Sequence, residues 1–295
     1  MEHINFVIMK KKILYILLSL IILSCIKTYK IPKNLFALNP YETGEILIFK
    51  SNTNKKDTIM ISNISNFISV NDPLNLFANK EEFLDVGSIH GRLFFSIVSR
   101  EKKGIIISFN FTSKYAWFYG KNDYTLDELN KLSFKSITIK DKEYNDVWVL
   151  NATDREYEHR DNFIEKLYWS KSNGIIRFDK KNNEVWILTK IDNKFKVMYS
   201  DFKKDIDNGD IVSIRKKTTE DGLKTIEKFY GDILKDENKK HFLDDLKFVT
   251  RQSYIKEFND SIISINHGFV SKITFVKKNQ NWLFDEIRFY ERKHY

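Results

Sequence analysis

Apolar and polar positions alternate with a period of two along most of this chain. In Ile105-Ile106-Ile107-Ser108-Phe109-Asn110-Phe111, the side chains of Ile105, Ile107, Phe109 and Phe111 share one face while Ser108 and Asn110 share the other. That is the pattern of a strand with one dry and one wet side. Arg92-Leu93-Phe94-Phe95-Ser96-Ile97-Val98 precedes it across Glu101-Lys102-Lys103-Gly104, which predicts a hairpin. Earlier strands are expected at Glu45–Lys50 and Asp57–Ser62, separated by a polar turn.

The densest strand pattern runs from Tyr144 to Ser200. Tyr144–Leu150, Phe163–Ser170, Ile175–Phe178, Glu184–Leu188 and Phe195–Tyr199 are predicted strands. Short turns at Asn173-Gly174, Lys181-Asn182-Asn183 and Asp192-Asn193 make the last four antiparallel neighbours, a meander. Asn173-Gly174 suits a two-residue hairpin turn, which needs positive φ at both central positions.

Helical spacing is rarer. Residues 73–85 and 125–132 predict short helices, the second opened by a Thr125/Glu128 capping box. From Glu220 to Leu234, Leu223, Ile226, Tyr230 and Ile233 form one apolar stripe. A second helix is expected over Asn238–Leu246, then strands at Phe269–Phe275 and Trp282–Tyr290. The fold class expected is α+β, predominantly antiparallel β, with a β-meander domain over 44–202, a polar linker over 203–217 and a small helix-plus-hairpin domain over 218–295. In element order that last unit is similar to a nuclear-transport-factor-like cone or a cystatin-like sheet and helix, a likeness that carries no function.

One stretch is organised differently. Lys10-Lys11-Lys12 precedes the eleven-residue apolar run Ile13–Leu23, and Ser24 and Cys25 follow. The run is too short for a bilayer core, which takes about 20 apolar residues, and has the length of a secretory h-region. Met9 is an alternative start to Met1. Ile22-Leu23-Ser24-Cys25 resembles the lipobox of a bacterial lipoprotein signal, and Cys25 is the only cysteine in the chain. The resemblance implies removal of residues 1–24, acylation of Cys25 with fatty acyl chains, and a tether over 25–43. The remaining alternatives are an uncleaved anchor or an ordinary secretory signal. The implied location is the cell envelope, on the outer membrane facing the periplasm.

The block Tyr144-Asn145-Asp146-Val147, Tyr168-Trp169-Ser170, Gly174-Ile175-Ile176-Arg177-Phe178 and Trp186-Ile187-Leu188 resembles one in uncharacterised, β-rich lipoproteins of Gram-negative bacteria. It covers about a fifth of the chain and implies a shared fold without bringing an activity.

Composition narrows the rest. A 42% hydrophobic and 15% aromatic chain of 295 residues has material for a large core, which excludes a disordered class. The formal charge is +9, but Lys alternates with Asp, Glu and Asn, the pattern of a solvated surface. Lys10–Lys12 leave with the signal, and nucleic acid is not an expected partner outside the cytoplasm. With Cys25 acylated, no thiol is left for disulfides or thiolate metal sites.

Candidate chemistry is sparse. His90, His159, His241, His267 and His294 show no metal-ligand spacing, so no cofactor is expected. Glu156, Glu158, His159 and Asp161 in the loop Arg155–Asp161 admit two readings, a cation site or a solvated hairpin tip. Asp205-Ile206-Asp207-Asn208-Gly209-Asp210 starts like a calcium loop, yet its glycine comes one residue early and Lys216 replaces the bidentate Glu. Gly87-Ser88-Ile89-His90-Gly91 reads as a turn. Tyr144, Trp148, Tyr168, Trp169 and Trp186 could line a groove for a ligand or fill the core. Three functions are therefore carried forward. The first is a lipid-anchored binding or assembly module, with another envelope protein or an apolar ligand as partner. The second is a carrier holding a lipid in a curved sheet, which requires an apolar cavity lined by the meander. The third is a hydrolase whose site is dispersed in sequence.

Overall fold

A computed structural model describes residues 27–70, 79–121, 123–132, 134–153, 156–251, 254–259, 261–267 and 271–289. The first half comprises β1 (Thr28–Tyr29), β2 (Ile46–Ser51), β3 (Lys56–Val70), β4 (Lys80–Ser88), β5 (Leu93–Arg100), β6 (Gly104–Phe111), β7 (Trp117–Phe118), β8 (Asp123–Thr125), α1 (Leu126–Lys131) and β9 (Lys135–Ile139). The second comprises β10 (Lys142–Asn151), β11 (Phe163–Ser170), β12 (Gly174–Lys180), β13 (Val185–Asp192), α2 (Lys194–Asn208), α3 (Ile211–Lys216), α4 (Glu220–Tyr230), α5 (Asp236–Arg251), β14 (Tyr254–Phe258), β15 (Ile262–His267), β16 (Ser271–Lys278) and β17 (Asn281–Phe289). Antiparallel β structure predominates, as the alternating pattern predicts.

The large sheet has the order β8-β6-β5-β4-β3-β2-β13-β12-β11-β10-β9, with β1 beside β4 and β7 beside β11. It curls until its two arms meet. Trp117 and Phe118 of β7 pair in parallel with Phe163 and Ile164 of β11. Thr112, just past β6, forms an antiparallel bridge to the same Trp117. The two residues of β7 therefore seam the β6 arm to the β11 arm.

Inside the curl the apolar faces meet. Trp169 stacks on Phe95 at 4.8 Å between ring centroids and meets Phe109 edge-on at 4.9 Å. Phe178 contacts Phe111 at 5.1 Å, Phe49 at 5.7 Å and Trp186 at 5.5 Å. All of these rings are buried. Alternation forces the arrangement: a slip of one residue in any strand would turn these rings out to water.

The small sheet runs β14-β15-β16-β17, all antiparallel. Ile263, Ile265, Ile273 and Phe275 share a core with Phe202 and Ile206 of α2 and Leu246 and Val249 of α5, and the same core takes in Ile46 and Met60 from the large sheet and Ile89 from the β4–β5 turn. The helices, the small sheet and part of the large sheet thus share one apolar core, and β14 packs directly on β3.

Several expectations are corrected. Phe195–Tyr199 is the first turn of α2 and not a strand, because Phe195, Phe202 and Ile206 lie on one helical stripe that is fully buried. Residues 203–217, expected as a polar linker, are mostly helical: α2 fills them to Asn208, Gly209 ends it at φ 67° and α3 follows. Residues 80–85 belong to strand β4, since Leu84 and Val86 point inward while Phe83 and Asp85 point outward between β3 and β5; 73–78 lie outside the described residues. The C-terminal unit has four strands rather than one hairpin. The expected tether is docked, with Thr28 and Tyr29 paired to Lys80 and Glu81 and with Ile31, Leu38 and Tyr41 buried. The signal segment and Cys25 lie outside the described residues. The 171–173 turn is not the two-residue form: Ser170 pairs with Gly174, and only Gly174 has positive φ, at 69°. The Thr125/Glu128 capping box is present as predicted.

Candidate binding groove at the sheet seam

Beyond β6 the chain must turn sharply to reach the opposite arm. The amide of Ser113 donates to the Ala116 carbonyl at 2.7 Å, and the Tyr115 amide donates to Ser113 Oγ at 3.0 Å. The Lys114 amide donates to Asp57 Oδ2 at 2.8 Å, and Asp57 is itself paired with Arg92. These bonds fix the turn, and the Trp117 amide then donates to the Asn162 carbonyl at 2.8 Å.

Alternation within β7 decides what faces water. Phe118 turns inward and is 7% exposed; Trp117 turns outward and is 41% exposed. Gly120 follows because a Cβ there would stand 2.1 Å from the Phe118 ring. Gly120 bridges Ala152, which ties β10 to the same seam. The Tyr119 ring lies between Tyr157, 4.4 Å away, and Phe163, 6.0 Å away, in stacked geometry. The Arg160 guanidinium sits over Tyr157 at 4.5 Å.

The result is an open groove of about 470 Å³, lined by Asn110, Thr112, Trp117, Phe118, Tyr119, Gly120 and Arg160. Among the described residues no carboxylate pairs with the Arg160 guanidinium. The nearby Glu158 is engaged by Lys181 at 2.8 Å. An exposed indole, an amide, a hydroxyl and a cation supply what a ring-bearing anion requires: flat apolar surface, hydrogen-bond donors and charge.

Of the loop Arg155–Asp161, then, Tyr157 and Arg160 stack beside the seam and Glu158 pairs with Lys181, while Arg155 lies outside the described residues. No group of three His, Cys, Asp or Glu side chains suited to a metal ion occurs among the described residues. Asp205 pairs with Lys217 and Asp210 caps α3 through Ser213, so the calcium-like stretch is a helix end and a helix start. Gly87–Gly91 joins two strands; its Ser88 Oγ accepts from the Leu93 amide.

The five aromatic candidates lie elsewhere. Trp148, Trp169 and Trp186 are at most 2% exposed, and Tyr144 is buried against Val147 and Ile176. Tyr168 is half-buried, donating to Asp179 Oδ2 at 2.7 Å beneath Arg177. Trp148, Trp169 and Trp186 are side chains of the core inside the curl. Trp117 and Tyr119 carried no strand pattern of their own; the signal available was the local density Tyr115-Ala116-Trp117-Phe118-Tyr119-Gly120.

Three other concavities carry different chemistry. One of about 730 Å³ has Ile191, Met198 and Trp282 in its walls. One of about 720 Å³ has Lys203, Lys204 and Arg251. A third, of about 390 Å³, holds His90, Glu257, Lys272, Glu286 and Arg288. Its acids are ion-paired, Glu257 with Lys272 at 3.0 Å and Glu286 with Arg288. The Lys272 ammonium holds Glu257 below the usual carboxylate range, the wrong direction for a general acid near neutral pH.

No protein-family profile matches the sequence, and no curated protein matches it. Among the described residues no helix is long and apolar enough to cross a membrane.

Proposed function

We propose that this is a lipid-anchored envelope protein that binds an acidic glycan in the seam groove and performs no chemistry on it. The observation that carries the reading is the Arg160 guanidinium, held over Tyr157 beside the exposed Trp117 with no described carboxylate to neutralise it. Pyranose rings present apolar C–H faces that stack on an indole such as Trp117, and a carboxylate on the ring would take the guanidinium in a bidentate bond. The open form of the groove suits a chain passing through it rather than an enclosed small molecule.

Polygalacturonate serves as the probe, with its methyl ester as the uncharged control. The full chain should bind the acid form more tightly than the ester, and added salt should narrow the difference. Arg160→Ala should weaken binding of the acid form by about tenfold or more, the loss of about 1.5–3 kcal/mol expected for a hydrogen bond to a charged group. Wild-type affinity in both Arg160→Ala and Trp117→Ala would overturn the assignment of the groove.

A further inference from the structure

Resting on the reading of Cys25 as the acylated residue, we infer that one end of the large sheet docks on an anionic lipid surface. That end is built from β1, the C-terminus of β3, the N-terminus of β4 and the β5–β6 turn. The chain length sets the constraint. Ile26 and Lys27 alone separate Cys25 from Thr28, the first residue paired to the sheet. Three residue steps span at most roughly 11 Å even fully extended. The headgroup layer on each side of a bilayer is itself about 5–7 Å deep. An acylated Cys25 therefore leaves no slack to lift this end of the sheet away from the headgroups.

The docking is firm at Thr28. The Lys27 amide donates to Asn79 Oδ1 at 3.0 Å, and the Lys80 amide donates to the Lys27 carbonyl at 2.9 Å. Thr28 pairs with Lys80, and Lys80 pairs with Val70 on its other side. Val70 thus stands two strand spacings, about 10 Å, from Thr28.

What the sheet presents there suits a membrane surface. Ile68 and Val70 on one face of the strand and Phe67 on the other are 51%, 40% and 42% exposed, apolar side chains at the tip of a long strand. Lys27, Lys80, Lys102 and Lys103 are exposed around it, and Arg100, 4.0 Å from Glu81, places the Lys102-Lys103 turn at the same end. Apolar side chains beside lysines are what partitions into the headgroup boundary of anionic membranes.

With Cys25 taken up by the anchor, a cysteine introduced by Ile68→Cys is the sole site for an environment-sensitive fluorophore. Asn182→Cys provides the control, in the β12–β13 turn beside Asn52, near the start of β3 rather than its end. The acylated full-length proteins are incorporated into phosphatidylglycerol/phosphatidylethanolamine vesicles containing doxyl-labelled lipid. The probe at 68 should be quenched several-fold more than the probe at 182. Adding Lys80→Glu, Lys102→Glu and Lys103→Glu to the Ile68→Cys protein should reduce that quenching. Equal quenching at both positions, with mass spectrometry showing the lipid on Cys25, would overturn the docking surface and leave the anchor standing. A Cys25 without lipid would overturn both.

Discussion

The backbone amide of Ile175 donates a hydrogen bond of 2.8 Å to the phenol oxygen of Tyr41, inside the core and across 134 residues of chain. The Tyr41 ring meets Trp169 edge-on at 5.6 Å. The segment before β2 is thereby bolted to the β11–β12 turn. Gly174 makes room for it: a Cβ at this position would stand 2.1 Å from the Tyr41 oxygen and 2.2 Å from the ring carbon bearing it. Tyr41→Phe leaves a buried amide unpaired and should cost about 1–3 kcal/mol in urea denaturation. Gly174→Ala should cost more, since its φ of 69° also disfavours a side chain. Removing the hydroxyl should not rescue it, because the ring carbon still blocks the space.

Glu184 anchors a buried ion pair in the β12–β13 turn. It accepts from Lys180 at 2.7 Å and Thr53 at 2.8 Å and pairs with Lys55 at 3.0 Å. Burial pushes its carboxyl up, but the bonds from Lys180, Thr53 and Lys55 outweigh burial and bring it from 4.5 to about 2. A carboxylate with a depressed folded-state value contributes stability fully above its unfolded value. That contribution should fade as pH falls from about 4.5 toward 2. Glu184→Gln should flatten this acid limb. It should also cost about 3 kcal/mol at pH 7, because Lys180 is left buried without its partner. Thermal melts from pH 2 to 7 on both proteins measure the effect.

The seam depends on Gly120. Gly120→Ala should push the Phe118 ring out of its pocket and loosen the β7–β11 pairing, for a loss of about 1–3 kcal/mol. Amide exchange at Trp117 should accelerate more than at Trp169, which sits deep in the meander. Equal exchange rates in wild type and variant would show that β7 does not need this glycine.

How much of this was legible in the sequence depended on whether the determining contacts were local. Phe163–Ser170 was readable to the residue, and so was the Thr125/Glu128 box, because side chains two or three positions apart carry those signals. Phe195–Tyr199 misled because five residues can alternate by chance. The helical stripe showed only when Phe202 and Ile206 were read with Phe195. Strand β14 was missed because Ile255 is its one buried side chain, too little for a period. The groove was the least legible. β7 is two residues long and exists because Phe163 and Ile164, far along the chain, pair with it. The loop around Arg160 stood out as charged, but nothing nearby in sequence announced Trp117 and Tyr119 as its neighbours.

The groove reading has a direct optical test, because Trp117 is 41% exposed while Trp148, Trp169, Trp186 and Trp282 are 5% or less. Acrylamide quenching of intrinsic fluorescence therefore reports on Trp117 against a protected background. Saturating polygalacturonate should suppress the quenchable component, and Trp117→Phe should abolish it before any ligand is added. A quenchable component that survives saturating polygalacturonate unchanged would contradict binding at the seam.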